Sequence, residues 1–271
     1  MSDVSPPISA PLEVQSIHFN FLGGQAICLR DHVAGQMLGS APEWDAGGRS
    51  VVSAYVRGTT PTVRVVFRGQ TTDNGIYRIG ATGKYVSVAE SVTHLAFDPV
   101  TGLTPPIPFT FADALPDEIG RHQINFSWYI LDPDDPPVQR PFGTTSHAVC
   151  TTWKAMVVNA DEDLEDWVYY RLMEWTCRWA RGQTDEKGIC DALIRRIAES
   201  GLQYGVRRAW EVREILNRGG GMCGGWFQIF QQMAHAQGVF LYKRCFLVER
   251  RELRLSLIHI SEPTRLRRIS Y

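Results

Sequence analysis

The stretch EVREILNRGGGMCGGWFQIFQQMAHAQG, residues 211–238, decides how the chain is read. A short helix over about Ala209 to Asn217 runs into three consecutive glycines, Gly219, Gly220 and Gly221. Glycine lets a backbone turn sharply and approach another group closely. The segment after the turn reads as a further helix, with Phe227, Phe230 and Ala234 on the same side as Cys223. That spacing predicts a packed helix with the thiol held at its buried end. GVFLYKRCFLV (238–248) then reads as a strand. Helices, a glycine turn, a helix and a strand give α+β order.

Upstream, residues 160–182 (ADEDLEDWVYYRLMEWTCRWARG) place Leu164, Val168, Leu172, Trp175 and Trp179 at helical steps, behind an acidic start that suits the helix dipole. A second helix is expected after Thr184 as N-cap, with Asp185 and Glu186 in its first turn. Ile189, Leu193 and Ile197 would face inward, and Ser200–Gly201 would end it.

Before about residue 158 the texture is different. Ile17, Phe19 and Phe21, then Val63, Val65 and Phe67, then Ile124, Phe126, Trp128 and Ile130 alternate with other residues at period two. Such alternation turns one face of a strand to a core. GQTTDNG (69–75), GATG (80–83), DPVTGLTPP (98–106) and DPDDPP (132–137) are read as the turns between strands. The pattern predicts an antiparallel β-sandwich of roughly immunoglobulin type, without the Cys–Trp–Cys signature of a true immunoglobulin domain. The expected division is a flexible, Pro/Ser-rich 1–12, a β-sandwich over 13–158 and an α+β domain over 159–254.

Cys223 is the position that points to chemistry. It falls in the first turn of its helix, where unpaired N–H groups and the dipole favour a thiolate. A thiolate is a nucleophile, and the adjacent N–H of Gly224 can help hold an oxyanion. Trp226 and Trp210 are candidates for a substrate groove, although aromatic core packing is the expected role of both. The plain reading of Cys223 itself is a small residue in a tight helix start.

With these residues the segment from Thr184 to Val248 resembles the transglutaminase-like, papain-related superfamily. The likeness rests on the helix leading to Leu202, Gln203 and Tyr204, on EVREILNRGGG, and on the G-x-C-G-x-W nucleophile segment. It covers about 65 residues, the N-terminal half of such a domain. The resemblance implies a truncated transglutaminase-like α+β domain with Cys223 as nucleophile, Gly238 leading into the first sheet strand, and a histidine and an aspartate on later strands. It implies acyl transfer or hydrolysis at an amide of a protein or peptide substrate, with no cofactor and no metal. FGTTSHAVCTTWK (142–154) is also similar to a strand that precedes such domains in some bacterial proteins.

Residues 255–271, LSLIHISEPTRLRRISY, resemble translated sequencing-adapter read-through and are set aside from the fold reading. The native chain is therefore expected to continue differently after about Arg254. The chain as given, without its histidine and aspartate, is expected to be inactive.

The remaining features bound the function. Charged residues make up 21% with a net charge of −1, and no basic block stands out before the tail, so a general nucleic-acid binder is not expected. No apolar run approaches the roughly 20 residues of a membrane span. The N-terminus carries no signal peptide, which points to a cytoplasmic protein while leaving signal-independent export open. The oligomeric state is left open too. Cys28, Cys150, Cys177, Cys190, Cys223 and Cys245 lack CxxC spacing and suggest no disulfide scaffold. Cys177, Cys190 and Cys245 read as core. His235 lies about 18 Å along the helix from Cys223, so it reads as a solvent-facing or capping residue. His122 or His147 would have to approach Cys223 across an interface. The contrasting reading is a non-enzymatic binding or structural protein, with the β-sandwich as the working module and Cys223 inert.

Overall fold

The computed structural model describes residues 12–20, 26–83, 86–131, 138–157, 166–205 and 209–241. The expectations for Phe21, for the N-terminal residues before Leu12, for the 132–137 turn, for Leu164 and the acidic run before it, for Cys245 and for the tail lie outside these residues.

In chain order the strands are β1 (Glu13–His18), β2 (Cys28–Arg30), β3 (Trp44–Asp45), β4 (Ser53–Val56), β5 (Thr62–Arg68), β6 (Gly75–Gly83), β7 (Val88–Leu95), β8 (Ile107–Thr110), β9 (Gly120–Leu131), β10 (Gln139–Thr152), β11 (Trp167–Tyr169), β12 (Gln203–Tyr204) and β13 (Gly220–Gly221). The helices are α1 (Tyr170–Trp179), α2 (Glu186–Glu199), α3 (Val212–Arg218) and α4 (Cys223–Ala236). The fold is α+β, with strands in several sheets. Among the described residues no helix is long and apolar enough to cross a membrane.

Period-two alternation builds the larger sheets, one ordered β3-β1-β5-β8 and the other β4-β10-β9-β6-β7. Val63, Val65 and Phe67 of β5 and Ile124, Phe126, Trp128 and Ile130 of β9 are buried, as their alternation requires. The two sheets close on one core, where Trp128 meets Phe67 and Phe109 edge-on at 6.0 and 5.7 Å between ring centroids.

Two expectations need correction here. The larger sheet is not wholly antiparallel, because β4 joins β10 in parallel, Val149 opposite Ser53. GATG (80–83) is strand rather than turn. Its glycines serve close approach, since a Cβ on Gly80 would stand 2.8 Å from the Tyr129 hydroxyl oxygen and one on Gly83 would strike the Val86 carbonyl.

The helices pack on the end of the sheet system that holds β4 and β10. Ile27, Leu29, Val52, Ala54, Ile119 and Cys150 share one buried cluster with Leu172, Leu193, Ile215, Ile229 and Met233. β11 pairs with β2 in parallel, Val168 opposite Leu29, and feeds directly into α1. So α1 starts at Tyr170 and Val168 is a strand residue. Its buried face is Leu172, Met173, Thr176 and Cys177. Trp175 and Trp179 are only partly buried and stack on each other at 5.1 Å. An indole pair of that size covers the rim of the layer better than it would fit inside it.

α2 follows the reading closely, with Ile189, Leu193 and Ile197 buried and Ser200 as C-cap. The N-cap is Asp185 rather than Thr184. Its carboxylate accepts the Gly188 N–H at 2.7 Å, the bond that selects aspartate at this position. Cys177 and Cys190 are core residues, as expected.

Candidate functional site around Cys223

The site grows from α3. The Glu211 and Glu214 side chains form a capping box at its start. Glu214 also accepts the Trp210 N–H at 2.9 Å, and the Trp210 and Glu211 N–H groups hold its carboxyl below the usual carboxylate range. α3 ends at Gly219, whose φ of 73° is left-handed and suits glycine. Gly220 and Gly221 then pair in parallel with Gln203 and Tyr204. A Cβ on Gly221 would run into Ile215, so the close approach expected of the glycines is an approach to the core side of α3.

Met222 is the N-cap of α4. Its N–H donates to the Ala209 carbonyl at 3.0 Å, and no side chain caps the helix. Cys223 is therefore the first helical residue, and the leading N–H groups of a helix have no partners within it. Gly225 packs against Ile215 and the Trp210 carbonyl, whereas nothing lies within 4 Å of a Cβ placed on Gly224. The helix start thus has a tight face at Gly225 and an open face at Gly224.

Cys223 lies on the open side and is exposed. This corrects the expectation of a buried thiol. Phe230 and Ala234 are buried and Phe227 partly so, but in the first turn it is Gly225 that meets the layer, which leaves Cys223 and Gly224 facing outward. The other described cysteines are half-buried (Cys28) or buried (Cys150, Cys177, Cys190). Burial raises the Cys190 thiol to about 11.

Of the expected groove residues, Trp226 is partly buried and its indole N–H donates to the Gly221 carbonyl at 3.1 Å. That donor is occupied within the protein. Trp210 is 54% exposed, against the expectation of core packing. Its main chain holds the Glu214 carboxylate and backs Gly225, which leaves the ring outside. Tyr204, opposite Gly221, is exposed as well. No periodicity marks either ring as exposed, because both flank short irregular segments.

The described histidines belong elsewhere. His235 is buried, not solvent-facing; its Nε2 accepts the Leu241 N–H at 3.2 Å and its ring stacks on Phe240. It does not cap the helix, since its ring accepts an N–H and the Gln237 backbone N–H serves the last carbonyls, and it lies at the opposite end of α4 from Cys223. His147 sits among Phe19, Trp44 and Phe126 in the core between the sheets. His122 is bonded to the Thr151 hydroxyl at 2.8 Å. His18 bonds the Gly39 carbonyl, His32 packs on Tyr170, and His94 lies exposed on β7. Among the described residues no group of three or more His, Cys, Asp or Glu side chains forms a metal site.

The chain matches no family model and no curated protein.

The two glycines of the helix start make a direct prediction. Gly225→Ala forces a methyl group into Ile215 and should cost about 1–3 kcal/mol, as overpacking does. Gly224→Ala enters open space and should change stability by less than about 1 kcal/mol. Urea midpoints of the two variants check this, and equal losses would contradict the assigned faces.

Proposed function

We propose that the chain carries the N-terminal half of a transglutaminase-like, papain-related cysteine enzyme behind an immunoglobulin-like β-sandwich that serves recognition. The observation that carries this reading is the placement of Cys223, exposed as the first residue of a 14-residue helix behind a glycine turn. In the proposed reaction the Cys223 thiolate attacks an amide carbonyl of a protein or peptide. The Gly224 N–H, in the first turn of α4, is the proposed donor to the developing oxyanion. The C–N bond breaks, the amine leaves with a proton from a histidine, and a thioester forms. An amine then gives a new amide, or water an acid, and the thiol is regenerated.

The resemblance places that histidine, and the aspartate that orients it, on strands after Val248. Residues 242–254 contain neither residue type. The chain as given is therefore proposed to be inactive. Re-sequencing the coding DNA across the codons of Arg254 and Leu255 tests this. The reading expects a frame that continues into strands bearing a histidine and, shortly after, an aspartate or asparagine. A continuation without a histidine would overturn it.

One observation favours a second reading. Because the described histidines have their places elsewhere, a binding protein with an inert Cys223 and a working β-sandwich accounts for the same residues. Amine incorporation into a glutamine peptide by the continued chain, lost in Cys223→Ala, separates the two.

A further inference from the structure

We propose that Trp226 is a positioning residue that holds the turn presenting Cys223. The inference rests on the thiol chemistry proposed above. The Gly221 carbonyl oxygen takes two donors, the Gly205 N–H at 3.0 Å and the Trp226 indole N–H at 3.1 Å. With both lone pairs engaged, the carbonyl two residues before Cys223 is fixed on one side by Gly205, the residue after β12, and on the other by α4 itself. The Met222 N–H on the Ala209 carbonyl fixes the next residue. Cys223 follows, exposed, and the position of its backbone is inherited from these three bonds.

Trp226 lies one helical turn after Cys223, so its indole reaches back over the turn while its ring packs on the layer beneath. A tryptophan at this spacing from a cysteine therefore has a reason besides contact with substrate. Its N–H is spent on Gly221, which removes it from the candidates for oxyanion donor and makes it instead the support of the group that reacts.

Trp226→Phe keeps a ring in the layer and removes the donor; Trp226→Tyr is the second variant, equally unable to donate from the indole position. The readout is the rate constant for alkylation of Cys223 by iodoacetamide in the folded chain, measured by peptide mass spectrometry across pH 6–9. We expect both variants to slow it by about 2- to 13-fold, the equivalent of the 0.5–1.5 kcal/mol of one net hydrogen bond. Thr176→Val is the control, since it removes the Thr176 hydroxyl bond to the Met233 carbonyl far from Cys223. It should lower the melting temperature and leave the alkylation rate unchanged. A rate unchanged or raised in both tryptophan variants overturns the proposal, as does an equal slowing in Thr176→Val. The comparison needs no acyl transfer, so failure of the enzyme reading shows separately, in the amine-incorporation assay.

Discussion

Lowering the pH from 7 to 4.5 should cost the fold about 2–3 kcal/mol through His147 alone. Burial among Phe19, Trp44 and Phe126 disfavours the charged form and holds this imidazole down to about 3. Its Nε2 meets the Thr145 hydroxyl at 2.8 Å, and its Nδ1 has no hydrogen-bond partner among the described residues. The unfolded chain protonates near the ordinary value of about 6.5 while the folded chain does not. The stability is therefore full above about pH 6.5 and is lost as pH falls toward 3, at about 1.4 kcal/mol per pH unit. His235, held down to about 4 by burial, adds a loss of the same sign. Its ring accepts the Leu241 N–H, and a proton on Nε2 would oppose that donor. Urea unfolding at pH 7 and 4.5 measures the difference, and His147→Phe should remove about half of it, the His235 share remaining. Equal stability at the two pH values would contradict the burial of both rings.

Trp128→Ala is expected to be the most damaging single substitution of the core between the sheets. The side chain is fully buried, touches Phe67, Phe109 and Phe126 edge-on, and donates its indole N–H to the Thr145 hydroxyl at 3.0 Å. Removing it leaves a cavity that spans both sheets, a change that costs about 3–5 kcal/mol in typical cores. Against a total stability of about 5–15 kcal/mol, such a variant is close to unfolded. The same Thr145 hydroxyl meets Trp128 and His147, so the two substitutions should be non-additive. Trp128→Phe should lose less. A loss under about 1 kcal/mol in Trp128→Ala would mean that the sheets do not share this core.

The sequence made the buried faces of β5, β9 and α2 legible because each combines a regular period with clear flanking turns. It was less informative where a residue type has two uses. Gly80 and Gly83 read as turn residues, but their missing Cβ atoms admit the Tyr129 hydroxyl and the Val86 carbonyl to a strand. Val168 matches a helical step with Leu172, yet β2 supplies a parallel strand edge that local pattern cannot reveal, and pairing with Leu29 takes it. The parallel union of β4 with β10 is invisible for the same reason.

At the site, the position of Cys223 at a helix start was readable from the glycines before it. Its exposure was not. That depends on Gly221 and Gly225 both packing against Ile215, which sets the angle at which α4 leaves the turn. The role of the Trp226 indole was likewise hidden, because it depends on a backbone carbonyl that has no letter in the sequence. His235 looked polar and terminal. The chain after α4 folds back far enough for the Leu241 N–H to reach it, which buries the ring.

The turn presents Cys223 as the exposed thiol among the described cysteines. Limiting iodoacetamide on the native chain, followed by mass mapping of Cys28, Cys150, Cys177, Cys190 and Cys223, tests it most directly. The account predicts that Cys223 is labelled first and that Cys150, Cys177 and Cys190 take label only after urea. Labelling of those buried thiols before Cys223, or of Cys223 only after denaturation, would contradict it.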